Sequence, residues 1–92
     1  MSRVVARRVV VRGLVQGVNF RWWVADRARS RGVVGWAENR GDGAVEVFVQ
    51  GAPDDVAAVE RDVRAGPRHA RVDAVEADDA EPRAGLDGFA RR

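Results

Sequence analysis

The segment GLVQGVNFRWW, residues Gly13 to Trp23, follows a run of valines and leads into a helical pattern. Its two glycines, four residues apart, free the backbone from the steric limits that a Cβ imposes. Arg21, just beyond them, adds a permanent and forked positive charge. The segment therefore predicts a strand that ends in a turn, with the turn shaped to hold an anion at the start of a helix.

Hydrophobic periodicity divides the rest of the chain into strand and helix patterns. The first strand places Val5, Val9 and Val11 on one face and Arg8 and Arg12 on the other, and apolar residues recur at four-residue spacing in the first helix. The second helix has Pro53 in its first turn and two aspartates that complement the helix dipole. The predicted strands are Arg3–Arg12, Val33–Arg40, Ala44–Gln50, Arg71–Ala77 and a short edge strand in the tail, and the predicted helices are Phe20–Arg31 and the segment from Pro53 to Gly66-Pro67.

The predicted order strand, helix, strand, strand, helix, strand is that of a ferredoxin-like α+β fold. In this split β-α-β (βαββαβ) sandwich, two helices pack on one face of an antiparallel sheet. The 92 residues are enough for one hydrophobic core, and no linker divides them, so we predict a single domain over residues 1–92. Many functions occur on this fold, so the fold leaves the activity open.

The composition excludes several classes of enzyme. The chain has no cysteine, lysine, threonine or tyrosine and one histidine, which rules out thiol-based phosphatases, Schiff-base lysines, Walker-type nucleotide loops and histidine-rich metal sites. The net charge is +2, and acidic and basic residues are interspersed, as on a solvated surface. No apolar run is long enough to cross a membrane and none resembles a signal peptide, so we expect a cytoplasmic protein.

The loop from Leu14 to Phe20 joins the first strand to the amino terminus of the first helix. Backbone amides point outward there and the helix dipole favours negative charge, so the main chain can hold an anion. Arg21, in the first helical turn, is placed to bind the same anion through two parallel hydrogen bonds. A glycine turn followed by a surface arginine is also common without any ligand, and these residues by themselves leave both interpretations open.

Asn39 stands near the end of the second predicted strand, just before the RGDG turn at Arg40 to Gly43. Asparagine is a poor strand former, and its usual role at such a position is to begin the turn. Its side-chain amide also donates and accepts hydrogen bonds, as a group that holds a water molecule must. Taken alone, the pattern favours the turn role.

The segment from Gly13 to Gly51 resembles the acylphosphatase family in two long patterns. The first, G-x-V-Q-G-V-x-F-R, ends at Arg21, and the second, G-x-x-G-W-x-x-N-x-x-D-G-x-V, contains Asn39. Both occur in the order and spacing of the family, and the resemblance extends from about Val5 to Phe89.

This resemblance implies an enzyme that hydrolyses acyl phosphates to a carboxylate and inorganic phosphate, without a metal ion or cofactor. Inorganic phosphate, as the product, is expected to inhibit competitively, and the enzyme is expected to be a monomer that binds neither nucleic acid nor membrane. The resemblance makes Arg21 and Asn39 the catalytic residues: Arg21 binds the phosphoryl group and Asn39 positions the attacking water. It assigns the phosphoryl cradle mainly to the backbone amides of Val15, Gln16, Gly17, Val18, Asn19 and Phe20.

Three positions depart from the family pattern. Asn19 occupies a variable loop position that is often glycine or aromatic, which leaves the shape of the cradle open. Arg31 stands where an aliphatic residue usually closes the first helix, and Arg91 stands where the family tail has isoleucine. We expect both arginines to reduce the apolar area that the core buries.

The aromatic and basic residues permit a rival interpretation, a binding module for RNA or another polyanion, because related folds stack bases on sheet aromatics. Two of the three tryptophans, Trp22 and Trp23, fall on the predicted helix, and no K/R-G-F-x-F type of motif occurs. We therefore expect Trp22, Trp23 and Trp36 to pack in or beside the core, and His69 to lie on the surface. A phosphate-binding domain without activity is a third alternative, which the presence of both catalytic motif residues disfavours.

Overall fold

The computed structural model describes residues 3–92, and Met1 and Ser2 of the predicted domain lie outside the described residues. The helices and strands follow one another in the predicted order, including the short strand in the tail. Their bounds are β1 Val5–Leu14, α1 Phe20–Ser30, β2 Val34–Asn39, β3 Val45–Gly51, α2 Pro53–Ala65, β4 Arg71–Ala80 and β5 Phe89–Arg91.

Within residues 3–92, five strands form one sheet in the order β4-β1-β3-β2-β5. The first four in this order pair antiparallel, whereas β5 runs parallel to β2. The sheet is therefore mixed, and the prediction of an antiparallel sheet does not hold at this edge. The chain enters β5 from the end of the sheet at which it leaves β4, so β5 runs opposite to β4 and in the direction of β2.

Both helices pack on one face of the sheet, as predicted, and the main core lies between the two layers. Val9 and Val11 of β1 are fully buried there, opposite Val47 and Val45 of β3. Apolar residues recur at every second position in the strands and at about every fourth position in the helices, which places their side chains on the faces that form this layer. The helices contribute Phe20, Val24, Ala25, Ala28, Val56, Val59 and Val63.

A smaller aromatic cluster covers the opposite face of the sheet. Trp36 of β2 and Phe48 of β3 are neighbours across the strands and stack with 4.5 Å between their ring centroids. The guanidinium groups of Arg83 and Arg92 lie 4.8 and 4.1 Å from the centroid of Trp36. Trp36 is 3% exposed, so its predicted packing role is confirmed.

Strands β1 and β4 extend beyond their predicted ends because they pair with each other. Leu14 at the end of β1 pairs with Arg71, and Ala80 at the end of β4 pairs with Ala6. A glycine near the end of β1 and acidic residues near the end of β4 weaken the local strand pattern. The inter-strand hydrogen bonds satisfy the backbone of both segments and outweigh this weak propensity.

Neither Arg31 nor Arg91 contributes to the core, and the expected reduction in the apolar area that the core buries stays a prediction. Arg31 is exposed after α1, where its Nη1 lies 3.4 Å from Oδ1 of Asp55. Arg91 is exposed in β5, where its guanidinium lies 3.5 Å from the centroid of the Trp22 ring. Phe89 supplies the buried apolar side chain of this short strand.

An ion pair joins the sheet to α2. Arg7 of β1 places its Nε 2.8 Å from Oε1 of Glu60 and its Nη2 3.2 Å from Oε2. Arg64, one helical turn after Glu60, binds the same carboxylate. The hydrogen bond from Arg7, supported by that from Arg64, holds the pKa of Glu60 below its ordinary value despite the opposing effect of desolvation.

Glu60→Gln is expected to destabilise the protein at neutral pH and to flatten the acid end of its stability profile. A carboxylate with a lowered folded-state pKa stabilises the protein above its unfolded pKa and loses that contribution as the pH falls through the folded-state value. As the pH falls from neutral through the folded-state pKa of Glu60, the wild type should therefore lose more free energy of unfolding than the variant, by roughly the 1 kcal/mol that one hydrogen bond contributes.

Urea unfolding at a series of pH values measures this difference. Asp26→Asn, at an exposed position of α1, is the control and should follow the wild-type profile. Parallel profiles for the wild type and Glu60→Gln would show that the ion pair does not contribute to acid sensitivity.

Candidate active site

A cavity of about 140 Å³ opens where the loop between β1 and α1 meets the end of β2. Val15 and Phe20 belong to its buried part, with 1% and 2% of their surface exposed. Arg21 reaches the cavity from the first turn of α1, and Asn39 reaches it from the last position of β2. The complete lining is Val15, Gly17, Asn19, Phe20, Arg21, Trp22 and Asn39.

The loop owes its shape to two residues with a left-handed backbone. Gly17 has φ 77°, which glycine adopts without strain. Asn19 has φ 61° and ψ 28°, a conformation that asparagine accepts more readily than most residues with a Cβ. The departure from the family pattern at Asn19 therefore fits the turn. Left-handed residues in such turns help to direct N–H groups into a concave, anion-binding arrangement.

The amino terminus of α1 adds free backbone donors to the loop. The N–H of Trp23 donates to the carbonyl of Asn19 at 3.0 Å, so the helical amides that precede Trp23 have no acceptor one turn earlier within the helix. The side chain of Asn19 does not cap them. The positive end of the helix dipole lies at the same point, so this terminus favours an anion.

Arg21 is half-buried, and the segment after β5 holds its guanidinium in place. Nη1 of Arg21 donates a hydrogen bond to the backbone carbonyl of Arg92. Arg92 is itself held, because its N–H donates to the carbonyl of Ala37 at 2.8 Å and its guanidinium lies over Trp36. The sequence does not indicate this partner, because the acceptor is a backbone oxygen 71 positions away and every residue has such an oxygen.

The side chain of Asn39, within residues 3–92, forms none of the hydrogen bonds of the turn between β2 and β3. The N–H of Arg40 donates to the carbonyl of Ala44 at 2.8 Å, and Oδ1 of Asp42 accepts a hydrogen bond from the N–H of Ala44 at 3.1 Å. Asp42 therefore forms the side-chain hydrogen bond that the pattern favoured for Asn39. Asn39 is part of the cavity lining.

Comparison with known proteins shows the family to which the chain belongs. A family model described as Acylphosphatase matches residues 7–91. The chain belongs to the acylphosphatase family. An acylphosphatase of Koribacter versatilis is 45% identical over 83 residues, which are 90% of this chain and 76% of that protein. An acylphosphatase of Anaeromyxobacter dehalogenans is 46% identical over 89 residues, which are 97% of this chain and 96% of that protein.

A solved structure gives the same result for the fold. The crystal structure of acylphosphatase from Bacillus subtilis matches with a TM-score of 0.90 at 30% identity, and the match covers 96% of this chain and 98% of that one. The ferredoxin-like fold predicted from the order of strands and helices and the enzyme class implied by the two family patterns are therefore confirmed.

Gln16 of this acylphosphatase-family chain contributes a side-chain contact that the cradle prediction did not include. Its Nε2 donates to the carbonyls of Arg40 and Ala44 at 2.8 and 2.9 Å. The side chain thereby fixes the loop against the turn that follows Asn39. Gln16 and Val18 are not part of the cavity lining, whereas the other four predicted cradle residues are.

Arg12 of β1 also contacts the turn between β2 and β3. Its Nη1 lies 3.0 Å from Oδ2 of Asp42. The hydrogen bond from the N–H of Ala44, supported by that from Arg12, holds the pKa of Asp42 below its ordinary value. Asp42 in turn raises the pKa of Arg12. Both groups are therefore charged at neutral pH, and the hairpin keeps its position beside the loop.

The two glycines of the first family pattern have different roles. Gly17 lies in the cavity lining, with open space where a Cβ would stand. Gly13 lies inside β1 with φ 136°, where a Cβ would collide with the carbonyl oxygen of Arg71 in β4. The expectation that both glycines shape the anion turn is therefore wrong for Gly13, which permits the close approach of two strands.

The two tryptophans of α1 have different surroundings. Trp23 is half-buried and packs edge-on against Phe20, with 6.0 Å between the ring centroids, so its predicted packing role is confirmed. Trp22 is 55% exposed and lines the cavity, so the packing prediction is wrong for this residue. Consecutive side chains point about 100° apart around a helix, which directs one ring to the core and the other outward. His69 is exposed before β4, as predicted.

Proposed function

We propose that the protein hydrolyses small acyl phosphates to a carboxylate and inorganic phosphate at this cavity. Arg21 and the backbone amides of residues 15–20 hold the phosphoryl group, and Asn39 positions the water that attacks phosphorus. The observation that carries the proposal is the convergence of Arg21 and Asn39, from α1 and β2, on one cavity at a helix amino terminus.

The reaction demands little acid–base chemistry from the protein. A carboxylate is a good leaving group, so its departure needs no strong general acid. A loose phosphoryl-transfer transition state mainly needs its oxygens held and its water aligned. Backbone amides and the guanidinium of Arg21, oriented before the substrate arrives, supply electrostatic stabilisation of this kind.

An amide at position 39 suits the attacking water. The Oδ1 of Asn39 accepts a hydrogen bond from the water, and the NH₂ group donates either to the water or to a phosphoryl oxygen. A carboxylate at the same point would repel the phosphoryl oxygens. The hydrogen bonds from Gln16 to the neighbouring turn support a constant geometry between Asn39 and the loop, and such alignment accounts for much of the rate of an in-line reaction.

We further propose that the reaction needs no metal ion and no cofactor. The guanidinium and the amides provide the positive charge that a metal supplies in other phosphoryl-transfer sites. Within residues 3–92, no three His, Cys, Asp or Glu side chains converge in a way that suits a metal ion. Inorganic phosphate presents the same oxygens to the same donors, so we propose that it inhibits competitively.

The remaining expectations concern partners and location. The stacked pair of Trp36 and Phe48, on the face where related folds bind bases, is buried beneath Arg83 and Arg92, which supports the expectation of no specific nucleic-acid binding.

Neither helix of residues 3–92 has the length and apolar character that crossing a membrane requires. The monomeric state, the cytoplasmic location and the single-domain extent stay predictions.

The purified protein is expected to hydrolyse both acetyl phosphate and benzoyl phosphate. For each substrate, EDTA is expected to leave the rate unchanged. The release of inorganic phosphate measures the reaction, and an inert protein of similar size provides the background rate. Turnover at the background rate would refute the proposed reaction, whereas turnover that EDTA abolishes would refute only its independence of metal.

Arg21→Ala is expected to lower kcat/KM by a factor on the order of 10²–10³, because a strong anion-binding donor is lost. Competitive inhibition by phosphate should weaken in parallel, since Arg21 binds the phosphoryl group in the ground state as well. Arg21→Lys should restore little activity, because lysine lacks the planar fork. Near-normal phosphate inhibition in the lysine variant would contradict two-point binding by Arg21.

Asn39→Ala is expected to fold, to bind phosphate normally and to be nearly inactive. A group that acts mainly in the transition state lowers kcat without weakening a ground-state inhibitor. Asn39→Asp should be no better, because its carboxylate repels the phosphoryl oxygens. Steady-state kinetics with phosphate as the inhibitor measure both quantities.

Asp42→Ala is the matched control for the turn. It should lower the melting temperature, because the hydrogen bond to Ala44 and the ion pair with Arg12 are lost, while the folded fraction stays active. If Asn39→Ala keeps more than about a tenth of the wild-type kcat, a loss below roughly 1.4 kcal/mol, then Asn39 does not position the water.

A further inference from the structure

Trp22 is a large apolar side chain on the exposed rim of the cavity. It follows Arg21 directly, lines the same cavity and leaves 55% of its surface exposed. An indole stabilises a fold mainly through the large apolar area that it buries. Trp22 leaves about half of that area exposed, so its contribution to the stability of α1 is small for its size. Its position next to the guanidinium that binds the phosphoryl group points to a role towards the substrate.

Arg91 orients the Trp22 ring. Its guanidinium lies 3.5 Å from the ring centroid, within the range of a cation–π contact. Arg91 is fixed in turn by β5, where it pairs with Ala37 of β2. A ring that is already ordered loses little conformational entropy when a ligand packs against it. The departure from the family pattern at Arg91 therefore has a structural consequence at the cavity rim.

The size of the cavity restricts where the rest of the substrate can lie. A volume of about 140 Å³ is well below the roughly 300–1,000 Å³ of pockets that enclose a whole small-molecule ligand. The phosphoryl group, bound at Arg21 and the amino terminus of α1, and the attacking water occupy the inner part of that space. The acyl group must then extend past the rim, where the exposed face or edge of Trp22 offers an apolar surface.

We propose that Trp22, held by Arg91, is a specificity residue that favours acyl phosphates with an aromatic or other planar acyl group. This inference rests on the proposed function and concerns the acyl end of the substrate, which that mechanism leaves without a protein contact. A planar acyl group packs on the indole, whereas an acetyl group presents too little surface. The packing corresponds to a preference of about threefold to tenfold.

The test compares kcat/KM for benzoyl phosphate and acetyl phosphate in the wild type and in variants. Trp22→Ala should lower the benzoyl preference about threefold to tenfold, through a rise in KM for benzoyl phosphate that is not matched for acetyl phosphate. Trp22→Phe should restore most of the preference, and Arg91→Ala should give an intermediate value. Arg27→Ala is the matched control, because Arg27 lies 5.2 Å from the ring centroid of Trp23, which is not part of the cavity lining.

Two kinetic results would overturn the inference. An unchanged preference in Trp22→Ala would mean that the acyl group leaves the cavity elsewhere. An equal loss with both substrates would mean that Trp22 supports the loop or Arg21 and does not contact the acyl group.

A binding measurement separates this inference from the proposed reaction. Acyl phosphonates lack the scissile oxygen, so calorimetric titration with benzoylphosphonate and acetylphosphonate reports the preference without turnover. The wild type should bind benzoylphosphonate about threefold to tenfold more tightly, and Trp22→Ala should bind both equally. Equal binding by the wild type would refute the role of Trp22, whereas absence of turnover with this binding preference intact would refute only the proposed reaction.

Discussion

The pairing of β1 with β3 is the constraint on which the cavity depends. Val9 and Val11 face Val47 and Val45 in this pair, and all four are fully buried. A slip of one residue would turn the whole set onto the wrong face of the sheet, so the register is strongly specified. The chain that leaves β1 therefore emerges beside the turn between β2 and β3, and the loop between β1 and α1 meets Asn39 because the central strands cannot shift.

The edge strand β5 supplies the second set of constraints. Its Phe89 is buried in the main core, its Arg91 packs on Trp22, and the carbonyl of Arg92 accepts a hydrogen bond from Arg21. An exposed cation–π contact contributes only about 0.5–1 kcal/mol, which is small for the stability of the fold. The same contacts still set the directions of two side chains at the cavity, and direction is what binding and in-line attack require.

Charge and backbone conformation complement each other in the loop. Gly17 and Asn19 hold left-handed conformations that help to expose backbone donors, and the amino terminus of α1 adds partial positive charge. These backbone groups do not titrate near neutral pH, and arginine stays protonated at neutral pH. A protein without cysteine, lysine or tyrosine therefore presents a lasting positive field to an anion.

The sequence by itself determined the order of helices and strands, the helix-facing core and the loop and strand end that meet at the cavity, because these follow from local periodicity, turn chemistry and two long family patterns. Tertiary structure decided the parallel direction of β5, the partner of Arg21, the turn role of Asp42 and the exposure of Trp22. Each of these depends on groups that lie far apart in sequence or on which side of a helix meets the core. Local sequence patterns do not predict such contacts, because a backbone carbonyl or a ring face becomes a partner only after the sheet has assembled.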